Sequence, residues 1–205
     1  MDSRTVSAVF DAVSAKMTAN RDYLIELDAQ NGDGDLGISM DTGFRAVSAF
    51  AREADEPDLG RLFMKSAKAL NEASPSSLGT ILSFLMMGMA KALKGKTEAD
   101  ADEAALAMEA GLNLIMEKAG SKRGEKTILD ALGPGVDALK AGAGLPLRER
   151  LKAAADAAAA GSESTRRMRA VHGRAAYYGD KSLGVLDGGS AVGRLIFEGI
   201  AEAFA

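Results

Sequence analysis

Apolar residues recur along most of this chain at intervals of three and four, the spacing that gathers side chains on one face of an α-helix. Val6, Val9, Phe10, Val13, Met17 and Leu24 mark such a face and predict a first amphipathic helix over residues 3–27. Residues 28–37 break the rhythm with three glycines and three aspartates, and predict a loop. Helices are then predicted at about 38–52, 58–72 and 78–94, the last apolar on most sides and therefore central. Thr97-Glu98-Ala99-Asp100 reads as a capping box opening a fifth helix that stops at Gly120. A sixth is predicted from Thr127 to about Lys140, kinked at Pro134, and a seventh over about 147–172 with an alanine-rich run at 153–160. An eighth follows the glycine-rich stretch 173–189. No segment alternates with the two-residue period of a strand, and no internal repeat is visible. The predicted fold class is all-α: one domain over residues 1–205, with eight helices joined by modest loops.

Composition sharpens this picture. Only 5% of the residues are aromatic and tryptophan is absent, so the core must be Ala, Leu, Val, Ile and Met, the material of close-packed helices. A net charge of −4, with basic residues confined to short patches such as Lys122-Arg123 and Arg166-Arg167, argues against a nucleic-acid partner. The absence of cysteine and the presence of one histidine exclude a disulfide framework, a thiol nucleophile and the Cys/His sites that zinc prefers. A Ser-His-Asp relay would have to use His172, which is expected to sit at a helix end and complement its dipole. The most apolar stretch, Leu78 to Leu93, is interrupted by Ser83, Gly88 and Lys91 and is too short for a bilayer, so no membrane association is expected. The start, Met1-Asp2-Ser3-Arg4, lacks a hydrophobic signal region, and the expected location is cytoplasmic.

The chemistry is sought in the polar loops. Asp28, Asp33 and Asp35 fall within eight residues, separated by Gly32 and Gly34 and followed by Gly37. Neighbouring carboxylates repel by about 1 kcal/mol per pair even in water, and a hard divalent cation offsets that cost. Asn31-x-Asp33-x-Asp35 copies the opening of a calcium-binding EF-hand loop, but Leu36 stands where that loop needs glycine and Thr42 where it needs glutamate. A solvated acidic turn remains the bland alternative; magnesium, which binds together with substrate phosphates, is the reading favoured. Ser74-Pro75-Ser76-Ser77-Leu78-Gly79-Thr80 offers hydroxyls and backbone N–H groups at a helix start, where an anion can dock, although such a segment is more often a simple cap. Taken singly, Lys126 and Arg174 read as surface charges.

In order, these segments resemble the ADP-binding subunit of dihydroxyacetone kinases, the DhaL family. The likeness rests on Leu27-Asp28 with Gly32-Asp33-Gly34-Asp35-x-Gly37, Ala73-Ser74 through Gly79-Thr80, Gly124-x-Lys126-Thr127-x-x-Asp130-Ala131-Leu132, Gly173-Arg174-Ala175 and Gly184-x-x-Asp187-x-Gly189. It runs from about residue 6 to the end of the chain. The resemblance implies an antiparallel eight-helix barrel with a nucleotide, ADP or ATP, on the loops at one end. It implies two Mg²⁺ ions held by Asp28, Asp33 and Asp35; Leu36, Gly37, Ile38 and Ser39 lining the nucleotide; and Ser74 and Pro75 near phosphate. Gly124, Gly133 and Arg174 would meet the nucleotide, and Asp187, Gly188 and Gly189 would form a base-side wall. The implied reaction passes a phosphoryl group to dihydroxyacetone or a similar small ketose held on a DhaK-like partner subunit. Recharging of bound ADP by a DhaM-like phosphocarrier and exchange of ATP are both open, as is a homodimer. Leu36, Pro75, Glu125 and Gly188 depart from residues common in the family (His, Gly, Asp and Pro respectively). The alternatives are a non-catalytic nucleotide sensor or regulator that kept the fold, and the nucleotide domain of a fatty-acid kinase, which resembles this family.

Overall fold

The computed structural model describes residues 1–205. Nine α-helices make up the chain: α1 (Ser3–Ala19), α2 (Arg21–Asp28), α3 (Leu36–Glu53), α4 (Leu59–Ala73), α5 (Ser77–Ala92), α6 (Ala101–Ala119), α7 (Leu129–Ala141), α8 (Leu147–Ser164) and α9 (Gly188–Glu202). Two 3₁₀ segments, Thr165–Arg167 and Arg174–Ser182, lie between α8 and α9. Eight of the helices form a closed ring. α1 packs on α3, each later helix packs on the next, and α9 returns to α1. Short loops between sequential neighbours make adjacent helices antiparallel.

The first predicted helix is in fact two. Asn20 leaves helical geometry (φ −107°, ψ 12°), and its side-chain amide donates to the Lys16 carbonyl at 2.9 Å. This is the local competition with backbone bonding that makes asparagine a poor interior helix residue. The break lets α2 turn away from the ring and lie against the start of α3, where a Cβ on Gly37 would stand 2.1 Å from the Arg21 carbonyl. The fifth predicted helix begins later than its sequence suggested. The capping box is Asp100 with Glu103, not Thr97 with Asp100, and α6 starts at Ala101. Likewise α8 stops at Ser164, well short of residue 172. There the Ser164 and Thr165 hydroxyls donate to the carbonyls of Gly161 (2.6 Å) and Ser162 (2.7 Å), and the chain tightens into 3₁₀ geometry. Pro134 is tolerated inside α7. The carbonyl it cannot bond, that of Asp130, faces α8 at Gly161, where a Cβ would come within 2.2 Å.

A single cluster of 41 buried apolar residues fills the ring, and it includes a Phe10–Phe63 edge-to-face pair with centroids 5.8 Å apart. The packing leaves an apolar chamber of about 180 Å³, bordered by Val6, Phe10, Phe44, Phe63, Leu85 and Leu151 among others. No helix is long and apolar enough to cross a membrane. Because helices alternate in direction, α3, α5, α7 and α9 all begin at the same end of the barrel, beside the aspartate loop.

Candidate functional site

Those four helix starts surround a cavity of about 610 Å³, in the range of small-molecule sites. Leu36 opens α3, Ser77 and Leu78 open α5, Ile128 precedes α7, and Gly188 and Gly189 open α9; all border it. Each helix N-terminus presents backbone N–H groups without intrahelical partners and about half a positive charge. On α5 the Ser76 hydroxyl accepts the Gly79 N–H at 3.1 Å, while Ser77 and Leu78 border the cavity one and two residues into the helix. Pro75, also at the cavity, contributes no donor.

Against this positive rim stand three carboxylates. One oxygen from each of Asp28, Asp33 and Asp35 lies within 4.8 Å of the others. The loop is folded for that purpose. Asp28 accepts the Gly34 N–H at 2.8 Å, Gly34 takes φ +75°, and a Cβ on Gly32 would sit 2.2 Å from the Asp28 carboxylate. Partial burial, then the charges of Asp33 and Asp28, push the Asp35 carboxyl above its ordinary range. An all-oxygen, anionic donor set of this size suits a hard divalent cation. The Arg174 guanidinium, 2.6 Å from Asp33, already places a cation at its edge.

In the first turn of α7, Asp130, itself buried, folds the loop after α6. It accepts the Gly124 N–H and, at 2.8 Å, that of Thr127. This fold forces Lys126 to φ 61°, the one positive φ outside glycine. Its side chain is only 3% exposed, and its ammonium donates to the carbonyls of Thr165 and Val185, both at 2.6 Å. Burial lowers the Lys126 pKa, against the nearby Asp187 charge, which raises it. Asp187 caps α9 by accepting the Ser190 N–H at 2.6 Å, and desolvation lifts its carboxyl to about 7. His172 lies in the loop between the 3₁₀ segments instead of at a helix end. It joins Glu125 at 2.6 Å, and that hydrogen bond holds the Glu125 carboxyl below its ordinary value.

Of the residues singled out from sequence, Asp28, Asp33, Asp35, Leu36, Ser39, Pro75, Arg174, Asp187, Gly188 and Gly189 border this one cavity. The others lie off it. Gly37 is buried against α2, Ile38 is about half exposed, and Ser74 is buried beside Gly43 and Gly79. Gly124 turns the loop that Asp130 holds, and Gly133 sits under the Arg123 side chain. Lys126 and the apolar Leu78, Ile81, Ile128 and Leu186 border the cavity without having been singled out for that role. Lys126 looked like surface charge because nothing local in the sequence announces that distant carbonyls will close around it.

The chain is similar to known proteins. A family model described as the DAK2 domain matches residues 30–202. A Listeria innocua protein described as PEP-dependent dihydroxyacetone kinase 2, ADP-binding subunit DhaL, is 32% identical over 98% of this chain and 95% of its own length. Human triokinase/FMN cyclase is 30% identical over 98% of this chain but only 35% of its own. The crystal structure of the dihydroxyacetone kinase from C. freundii in complex with AMP-PNP and Mg²⁺ superposes with a TM-score of 0.75 at 27% identity, covering 96% of this chain. The chain spans about a third of the length of that larger kinase. With a matched family model over most of its residues and a near full-length likeness to a DhaL subunit, the chain belongs to the DAK2 domain family, as a member of DhaL type.

Proposed function

We propose that this chain is the nucleotide-binding, phosphoryl-transferring subunit of a dihydroxyacetone-type kinase, and that Asp28, Asp33 and Asp35 hold two Mg²⁺ ions against the phosphates of ADP or ATP. The observation that carries this reading is the convergence of three carboxylates and four helix N-termini on one cavity. Carboxylates alone would repel a nucleotide and helix termini alone would repel a metal; together they suit a metal–phosphate pair. Magnesium, when bound, supplies charge neutralisation to the phosphate oxygens. Phosphoryl transfer is mostly positioning and electrostatic stabilisation, so the protein needs no nucleophile of its own.

In this reading the α5 amides at Ser77 and Leu78 bind phosphate oxygens, and Leu78, Ile81, Ile128 and Leu186 give the base an apolar bed. Arg174 moves from Asp33 to the phosphates as the site fills. A ketose hydroxyl oxygen attacks the terminal phosphorus, the bond to the bridging oxygen breaks, ADP retains that oxygen and its charge, and the hydroxyl proton passes to a base on the acceptor side. The acceptor, dihydroxyacetone or a similar small ketose, sits on a DhaK-like subunit, and a DhaM-like phosphocarrier recharges the bound ADP. Both partners are carried over from the family resemblance; the name of the Listeria relative, a subunit of a PEP-dependent kinase, favours recharging over ATP exchange.

Isothermal titration with ADP, with and without Mg²⁺, tests the reading on the parent and on Asp33→Asn. The parent should bind ADP only with Mg²⁺, and Asp33→Asn should bind at least tenfold more weakly with its helical circular dichroism intact. Magnesium-independent binding, or equal affinity in the two proteins, would sink it.

A further inference from the structure

Lys126 combines three costs at one position. Its backbone is left-handed, its side chain is almost wholly buried, and its charge is removed from bulk water. A left-handed backbone disfavours a non-glycine residue by roughly 1–2 kcal/mol, and burial of an ammonium requires compensating acceptors. Such positions persist where the surroundings over-determine them, and they gather at functional sites. Here the compensation comes from two carbonyls on different parts of the chain: Thr165, at the end of α8, and Val185, in the approach to α9. Thr165 is in turn tied to that approach, because its hydroxyl accepts the Asp187 N–H at 3.0 Å.

The neighbours of these tied residues matter. Two positions beyond Lys126 is Ile128, and next to Val185 is Leu186; both border the cavity. One ammonium therefore joins two segments that each bring an apolar side chain to the same space. On the proposed function, on which this inference rests, a flat base is the ligand part that such an apolar pair fits.

We propose that Lys126 is a positioning residue for the nucleoside: by bridging Thr165 and Val185 it fixes the gap between Ile128 and Leu186 into which the base slides. It touches neither metal nor phosphate in this role. The role depends on the ammonium and not on the backbone shape, so a variant that keeps the shape and lacks the charge separates the two. Lys126→Gly is that variant, because glycine adopts φ near +60° without strain.

The test measures Mg·ADP and Mg·pyrophosphate binding to the parent, Lys126→Gly and Lys126→Met by titration calorimetry. Pyrophosphate with Mg²⁺ probes the aspartates and helix termini alone; ADP probes the apolar gap as well. Both variants should lose at least tenfold in affinity for Mg·ADP while staying within twofold of the parent for Mg·pyrophosphate. Parallel loss of both ligands would mark Lys126 as a general support of the fold and overturn the proposal, as would unchanged ADP affinity in Lys126→Gly. A parent that binds neither ligand would sink the kinase reading and this inference together. Should both variants lose their helical signal, Leu186→Ala carries the test: selective loss of ADP supports the gap, and equal binding of ADP by parent and variant overturns it.

Discussion

Midway along the barrel and at its loop end, the same helices solve opposite problems. In the middle, side chains such as Phe44, Met108 and Leu112 are buried among apolar neighbours, and the backbone there is bonded within helices. At the loop end three carboxylates crowd together, Lys126 is held in a left-handed turn, and four helix starts bring their N–H groups to one cavity. The middle gains stability from burial, at about 25 cal/mol per Å². The end gives some up in like-charge repulsion and strain. The two can share helices because a barrel separates them along its axis: what α3, α5, α7 and α9 do at their first turn costs little two turns further on.

The largest test of that separation lies in the core. Leu112, in α6, is 2% exposed. Leu112→Ala should lower the free energy of unfolding by about 2–5 kcal/mol through lost burial and a residual cavity. Chemical denaturation reads that loss, and the affinity of the folded variant for Mg·ADP should stay within twofold of the parent. A tenfold change in affinity would show that the core and the loop end are coupled.

This division also accounts for what the sequence made legible. All eight helices of the ring were readable because burial of one face imposes a strict period, and the hydrophobic-face residues of the first, from Val6 to Leu24, are buried or packed as that period requires. The aspartate loop was readable because its carboxylates and glycines are adjacent in the chain. What escaped depends on contacts between distant residues or on competition within a single turn. The bonds of Lys126 span 39 and 59 residues. The partner of His172 is 47 residues away. The break at Asn20 and the early end of α8 turn on one or two side chains bonding nearby backbone carbonyls. Periodicity does not register such choices. Gly37, Gly124 and Gly133, which the resemblance assigns to the nucleotide, lie at a helix crossing, in a turn and beneath an arginine.

A smaller effect is expected at the boundary between metal and protein charge. Arg174 bonds Asp33 at 2.6 Å, yet both side chains face solvent, so the pair is worth no more than about 1 kcal/mol. On the proposed function guanidinium and metal compete for the same carboxylate, so Arg174→Ala should bind Mn²⁺ alone more tightly, by up to about fivefold. It should bind Mg·ADP more weakly, because the phosphates lose a donor. Paramagnetic titration of Mn²⁺ checks the first effect and calorimetry the second. Weaker Mn²⁺ binding would mean that Arg174 arranges the carboxylates instead of standing in for a cation.

The smallest effect is one of pH. Burial raises the Asp187 carboxyl from 3.8 to about 7, while the Ser190 N–H and Lys126 pull it down and Asp130 and Asp28 push it up. For an acid whose folded pKa lies above its unfolded one, the folded chain holds the extra proton. Its stabilising contribution is therefore complete below pH 4 and is lost as pH rises through 7. Most of that loss falls between pH 4 and pH 6; the last part, between pH 6 and pH 8, is worth about 1 kcal/mol, or roughly 2–4 °C in melting temperature for a chain of this size. The ligand-free parent should melt that much lower at pH 8 than at pH 6. Asn at position 187 can still accept the Ser190 N–H as a helix cap, but it does not titrate. Asp187→Asn should therefore flatten this slope without lowering stability at pH 8. A slope that survives the substitution would overturn the assignment to Asp187.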